Sequence, residues 1–405
     1  MATHEAGRRL PSAGGTGRAT FLELFFDLVY VFALTRISVR SFEDLALEPG
    51  GARGWGAVTG GAKTLLLLLA LWAVWQGTSW TTSRYDPHHA WLQAVVITAL
   101  VASMVMGVAI TRAFRETGLM FAVAYVVAQV SRPLILLLAL GSHPYRRLNL
   151  RMLLAFSATG ALWIIGAFVP TNPRVLLWTT ALAAEYLAAR FGWPVPGLGR
   201  STVSRWDIAG EHLAERYQQF FLVALGETIL VAGLAYSEGP NGGGGHTLAF
   251  ALALATSIVL WRIYVQRAGQ ILAEAVVRAR HPASIGRSAA DTHLVMVVGL
   301  TATAIGYKLV IEHPLDRPEV AWLAMVLGGP VLFLVGRARF EYEVFSRVSP
   351  SRWIAALVLL VLMPVLLRAV SLVAAAVAAA VLIAVAVADA LRARGAPPEA
   401  AAPPF

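Results

Sequence analysis

The sequence predicts an all-α, polytopic integral membrane protein, a bundle of about twelve transmembrane helices. Three observations carry that expectation. Of 405 residues, 58% are hydrophobic and only 14% charged, where a soluble domain carries about 25% charged residues. Apolar runs such as Leu65 to Val74, Trp91 to Ile110 and Ser371 to Val387 fill the chain, and a hydrocarbon core about 30 Å thick needs about 20 such residues per helix. None of these runs alternates apolar and polar residues as a membrane-barrel strand does, and a helix satisfies its own backbone where there is no water.

Residues 1–19, with Arg8, Arg9 and Arg18, read as a polar cytoplasmic tail. A cleavable signal peptide is not expected, because the next apolar run carries Glu23 and Asp27 and no small-residue cleavage site follows. Six spans are expected at 20–38, 57–78, 91–112, 118–140, 151–169 and 173–190. Six more are expected at 215–236, 247–266, 292–311, 319–336, 352–368 and 370–391, the last two divided only by residues 366–369. Between the sets, 191–214 reads as a cytoplasmic linker with Pro194, Pro196, Gly197 and Gly199, and 392–405 is a C-terminal tail. Lys and Arg in or beside the connecting segments divide 21 to 8 between the two sides, with Arg36, Arg132, Arg262 and Lys308 inside spans. That excess places both termini in the cytoplasm. It also makes the net charge of +10 a topology signal, so no nucleic acid partner is expected.

The chain also repeats itself. Glu23-Leu-Phe-Phe-Asp27 aligns with Glu215-Arg-Tyr-Gln-Gln219, Trp75 with Trp261, Pro133 with Pro330 and Arg151 with Arg352, at offsets of 192, 186, 197 and 201. The expected halves are 20–190 and 215–391, each of six helices. Six is even, so both halves share one orientation.

Ionisable groups in hydrocarbon cost at least about 2.5 kcal/mol each, so they face a cavity or a partner. Glu23, Asp27, Tyr30 and Leu34 share one stripe of the first span. Glu23 is either half of a capping box with Thr20 or part of a polar site. Asp27 lies roughly 10 Å past Thr20, and Arg132 roughly 12 Å from the cytoplasmic end of the fourth span. Their counterparts in the repeat, Gln219 and Gly329, are both uncharged. An Asp27–Arg132 ion pair is therefore expected, as a structural latch or as a gate or proton site. Glu227 lies roughly 18 Å into the seventh span, near the midplane, with Val223 and Val231 one turn away. It is the first candidate, either a hydrogen-bonded neutral carboxyl or a cation or proton site. Glu215 and Gln219 complete the candidate set.

Other polar residues take plainer readings. Glu185 is read as interfacial, His293 as a boundary residue, and Arg36, Arg262 and Lys308 as snorkelling. Trp72, Trp75, Trp80 and Trp91 read as an interfacial belt. His88-His89 reads as a solvated turn rather than a metal site, and Gly242 to Gly245 as a loop tip. Cysteine is absent, which excludes disulfides and thiol chemistry. There is no phosphate-binding loop, Gly-x-Ser-x-Gly elbow or His-Glu-x-x-His pair. No enzyme activity, catalytic residue, metal or cofactor is expected.

Six blocks carry a family resemblance. They are Leu22-Glu-Leu-Phe-Phe-Asp27-Leu-Val-Tyr-Val-Phe-Ala33, Trp72-Ala-Val-Trp75, Trp80-Thr-Thr-Ser-Arg84-Tyr85-Asp86, His212-Leu-Ala-Glu215-Arg216-Tyr217, Leu225-Gly226-Glu227-Thr228 and Leu260-Trp261-Arg262-Ile263-Tyr264. Together they resemble the bacterial low temperature requirement A (LtrA) family over about 20–390. The resemblance implies a multi-pass protein of the bacterial plasma membrane associated with growth in the cold, and supplies no reaction or substrate. A second likeness is to a bacterial and lysosomal potassium channel family with six-helix units. Phe25-Phe26-Asp27 is similar to its Phe-Ser-Asp motif, but Tyr217-Gln218-Gln219 departs from it. The functional expectation is a transporter of a small solute or ion, proton- or cation-coupled. A cation channel, or a membrane-embedded enzyme or lipid-interacting factor, are the alternatives, and the lipid bilayer is the one sure partner.

Overall fold

The computed structural model describes residues 18–47, 54–141, 143, 145–201, 208–239, 243–266, 270–394 and 399–404. Arg8 and Arg9 of the expected tail, Gly242 of the expected loop tip and positions 202–207 of the expected linker lie outside them. The described residues form helices and no strand; Val195 and Gly199 make an isolated bridge. The helices are α1 (Phe21–Phe42), α2 (Gly54–Thr82), α3 (Ala90–Ala109), α4 (Gly118–Ala139), α5 (Arg146–Ala167), α6 (Thr171–Arg190), α7 (Gly210–Glu238), α8 (Gly244–Tyr264), α9 (Gln270–Arg278), α10 (Pro282–Glu312), α11 (Val320–Phe345), α12 (Pro350–Leu366) and α13 (Ser371–Ala393).

Among the described residues, nine of these helices are long and apolar enough to cross a membrane: α2 to α5, α7, α8, α10, α11 and α13. The other three expected spans are helical too. Helix α1 carries Glu23, Asp27 and Arg36, α6 carries Arg174 and Glu185, and α12 has only 17 residues.

Polar residues hid three boundaries. Helix α10 starts at Pro282, ten residues before the expected 292. Ser288, Thr292 and His293 in its first turns are buried, so they continue the helix instead of marking a loop. Helix α11 runs past 336 to Phe345, because buried Arg337, Glu341 and Glu343 pair within it. It stops at Ser346, whose left-handed backbone (φ 55°) breaks the ladder. Helix α9 fills part of a segment read as loop.

The chain folds as two compact units. Unit one holds residues up to Arg36, then 66–216 and 281–284; unit two holds 37–65, 217–280 and 285 onward. In unit one, α3, α4, α5 and α6 pack each against the next. Phe121, Tyr125, Trp163 and Trp178 interleave between them with ring centroids 4.4–6.1 Å apart. Arg174 donates to the carbonyls of Ala113, Arg115, Gly166, Ala167 and Val169, closing exposed helix ends. Past α6, Gly192 takes φ 77°, where a Cβ would stand 1.9 Å from the Ser201 carbonyl oxygen. Only glycine permits this turn.

In unit two, α11 packs on α12, and α13 packs on α8, α11 and α12. Helices α10 and α11 touch through glycines. A Cβ on Gly299 would lie 2.6 Å from the Phe333 backbone nitrogen, and one on Gly306 2.8 Å from that of Val326. Without a large hydrophobic drive between helices in lipid, such close approach is a main source of association. The Tyr307 hydroxyl donates to the Ala375 carbonyl 3.4 Å away, tying α10 to α13.

Candidate functional site

Unit one gathers the stripe of α1. Thr20 and Glu23 form the capping box: the Thr20 N–H donates to Glu23 Oε2 at 2.8 Å, and the Glu23 N–H reaches Thr20 Oγ1 at 3.4 Å. The same carboxylate meets His212 Nε2 at 3.2 Å and Arg216 Nε at 3.7 Å. Asp27 accepts two bonds from Arg216, Nη1 to Oδ2 at 2.8 Å and Nη2 to Oδ1 at 2.7 Å. The Trp75 indole adds a third at 2.8 Å. Glu23, Asp27, Trp75, His212 and Arg216 are all buried. His212 meets Ser83 Oγ through its other ring nitrogen at 2.9 Å, and Glu215 Oε2 accepts the Ala19 N–H at 3.0 Å. One turn deeper, the Tyr30 hydroxyl lies 3.0 Å from Ser103 Oγ and 3.3 Å from the Leu71 carbonyl oxygen.

The expected Asp27–Arg132 pair is therefore replaced by Asp27–Arg216. Rise per residue gives depth along a helix but not direction around it, so two groups at one depth need not meet. Arg216 went unseen because the seventh span was expected to begin at 215, which made Arg216 a boundary residue and left His212 in the linker. In fact α7 begins at Gly210, and its residues 212 and 216 repeat the four-residue spacing of 23 and 27. Glu23–His212 and Asp27–Arg216 are both separated by 189 positions, so α1 and α7 run in the same direction there. That matched spacing was the available signal.

Arg132 sits elsewhere in unit one. Its Nη2 donates to Gln129 Oε1 at 3.0 Å, and its guanidinium lies 5.4 Å from the Phe156 ring centroid. Gln129 donates to the Tyr125 hydroxyl at 3.1 Å, and that hydroxyl donates to Glu185. Trp163 Nε1 also reaches Glu185, at 3.3 Å. Glu185 is thus buried in a polar chain and not interfacial. Likewise Trp72 and Trp75 are core residues, not parts of an interfacial belt.

Unit two holds Glu227, fully buried in α7. Ser38 Oγ donates to its Oε1 at 2.5 Å, while Oε2 has no hydrogen-bond partner. Among the described residues Glu227 has no ion pair. Next to it, Thr228 Oγ1 and Ser257 Oγ are 2.9 Å apart, which joins α7 to α8. Gln219 lies half-buried on α7.

Several charged residues of unit two escaped the sequence reading. Glu343 Oε1 accepts from Ser288 at 2.5 Å and Thr292 at 2.6 Å. Arg352 grips Asp389 through two bonds of 2.9 and 2.6 Å, and Arg337 donates to the Ile263 and Gln266 carbonyls at 2.9 and 2.8 Å. The i,i+4 spacings of Arg337–Glu341 and Arg339–Glu343 were the visible cue. His293 is an interior residue bridging Tyr264 and the Ala289 carbonyl, not a boundary residue. Lys308 meets Glu312 at 3.5 Å, and Arg36 meets Thr111 at 3.1 Å.

Asp86 caps the His88 N–H at 2.9 Å in the loop before α3, and no cluster of three metal-ligating side chains occurs among the described residues. Outside the spans, burial pushes the Tyr85 phenol up and the His143 imidazole down.

Apolar spanning helices with carboxylates, guanidinium groups and hydroxyls sealed among them define a multi-pass membrane protein with an internal polar network. The chain belongs to the bacterial low temperature requirement A (LtrA) family, whose model matches residues 18–387. It is 34% identical over 337 residues to an uncharacterized protein, RA0937, of Rhizobium meliloti (strain 1021), which covers 82% of this chain and 79% of the relative. No solved structure matches the chain.

Proposed function

We propose that this LtrA-family protein is a transporter of a small solute or ion, proton- or cation-coupled, rather than an enzyme. Its setting in this reading is a bacterial plasma membrane, with twelve spans in two parallel six-helix halves and both termini cytoplasmic. One observation carries the functional reading. Glu227 is a fully buried carboxyl in an apolar span, with one hydroxyl partner and one oxygen left unbonded. A carboxyl kept in that state is costly unless its charge is exchanged in use. The Asp27–Arg216 and Arg352–Asp389 pairs, by contrast, are closed upon themselves and suit a structural role. The parallel course of α1 and α7 in unit one supports a repeat of six helices, which keeps both halves in one orientation.

The test is flux in proteoliposomes. Purified native protein is expected to move protons or potassium ions faster than protein-free vesicles under an imposed gradient. No flux of either ion under any gradient, from protein shown to be folded, ends the permeation reading in favour of an enzyme or lipid-linked role.

A further inference from the structure

Four buried arginines show one way in which this protein houses a guanidinium. Arg216 and Arg352 each make two bonds to one carboxylate. Arg337 donates to two carbonyls, and Arg174 to five. Arg132 breaks the pattern. It is 3% exposed, inside α4, and among the described residues no carboxylate lies within ion-pair distance of it. Of the five N–H donors a guanidinium carries, one is used, by Gln129. Nε and Nη1 have no partner at all. A buried cation without a counter-charge is costly, and an anion that met it would offset that cost.

The surroundings form a built cradle. A Cβ on Gly77 of α2 would lie 1.8 Å from Nη1 and 2.4 Å from Cζ, so only glycine at 77 lets the guanidinium lie where it does. Phe156 covers its face and Gln129 fixes its rotation. The nearest acid along the hydrogen-bonded chain, Glu185, is separated from it by Gln129 and Tyr125 and is held by Tyr125 and Trp163. One unpaired positive charge calls for one negative charge, and a remote carboxylate disfavours a second. Planar N–H donors match the two oxygens of a carboxylate better than a spherical halide, which meets an edge at a single point. The phenyl face suits an organic remainder.

We propose that Arg132 anchors the carboxylate of a small monoanionic organic solute. This names the solute class for the permeation reading, but binding is measured without transport, so each can fail alone. The experiment is thermal unfolding of the detergent-purified protein titrated with acetate, lactate and benzoate, against chloride at equal ionic strength. At least one carboxylate is expected to raise the native Tm saturably where chloride does not. Arg132→Gln is expected to abolish the shift, and Arg132→Lys, which keeps the charge but loses the fork, to weaken it at least tenfold in midpoint concentration. Gly77→Ala, which displaces the guanidinium, is expected to weaken it similarly. Should Arg132→Gln not fold, Arg132→Lys and Gly77→Ala decide. Native protein that responds to no carboxylate, or equally to chloride, overturns the assignment. So does an unchanged shift in the substituted proteins.

Discussion

At the scale of residues, the buried charges divide by whether their partner is fixed. Asp27 is held by three donors, and its main partner Arg216 also reaches Glu23 at 3.7 Å. Asp27→Asn is expected to destabilise the protein by about 3–5 kcal/mol, because it removes the carboxylate that takes two hydrogen bonds from a buried guanidinium. Arg216→Gln should cost a similar amount. The double substitution should cost clearly less than the two singles together, and denaturant unfolding in detergent measures all three. Arg132→Gln combined with Asp27→Asn should recover nothing, since Arg132 is not the partner. The acids at 23, 27 and 227 were legible in the sequence because a charge in an apolar run is conspicuous. Their partners were not. Ser38 is unremarkable in sequence, His212 lay in the expected linker, and Arg216 lay at the very start of an expected span. Composition exposes the costly half of a buried pair, and only the packing of two helices exposes the other half.

At the scale of elements, each expected span coincides with a helix, because apolar length is the same quantity a bilayer and a helix both need. The boundaries shifted where polar residues were buried in helical extensions. The early start of α10 and the late end of α11 both carry hydroxyls and charges that pair with one another, as Ser288 and Thr292 do with Glu343. Beyond these polar bonds, α10 and α11 touch closely at glycines. Gly299→Val is expected to push α10 off the Phe333 backbone and cost about 1–3 kcal/mol or more, read as a lowered Tm. The equivalent change at Gly233, where a Cβ meets nothing within 4 Å, should cost well under that. Equal losses at both positions would contradict the close packing.

For the whole molecule, the proposed repeat rests on four aligned sequence landmarks, of which Pro133 and Pro330 lie inside α4 and α11. The arginine–aspartate grip of Arg352 and Asp389 was not legible, because its two members lie on different helices 37 positions apart. Topology is directly testable, since the natural chain has no cysteine and any introduced one is unique. Twelve spans with cytoplasmic termini predict that Cys at Glu116 and Asp316 reacts with an impermeant maleimide from outside, while Cys at Arg146 and Arg347 reacts only after lysis. The reverse pattern would invert the orientation, and a mixed one would change the span count. In the proposed transporter, charge passes by way of Glu227. The most direct measurement compares proton and potassium flux through native protein and Glu227→Gln in matched proteoliposomes. Native flux that falls to the protein-free rate in a folded Glu227→Gln protein is the predicted result. Flux left unchanged by that substitution would contradict the claim and make Glu227 a structural hydrogen-bonding group beside Ser38.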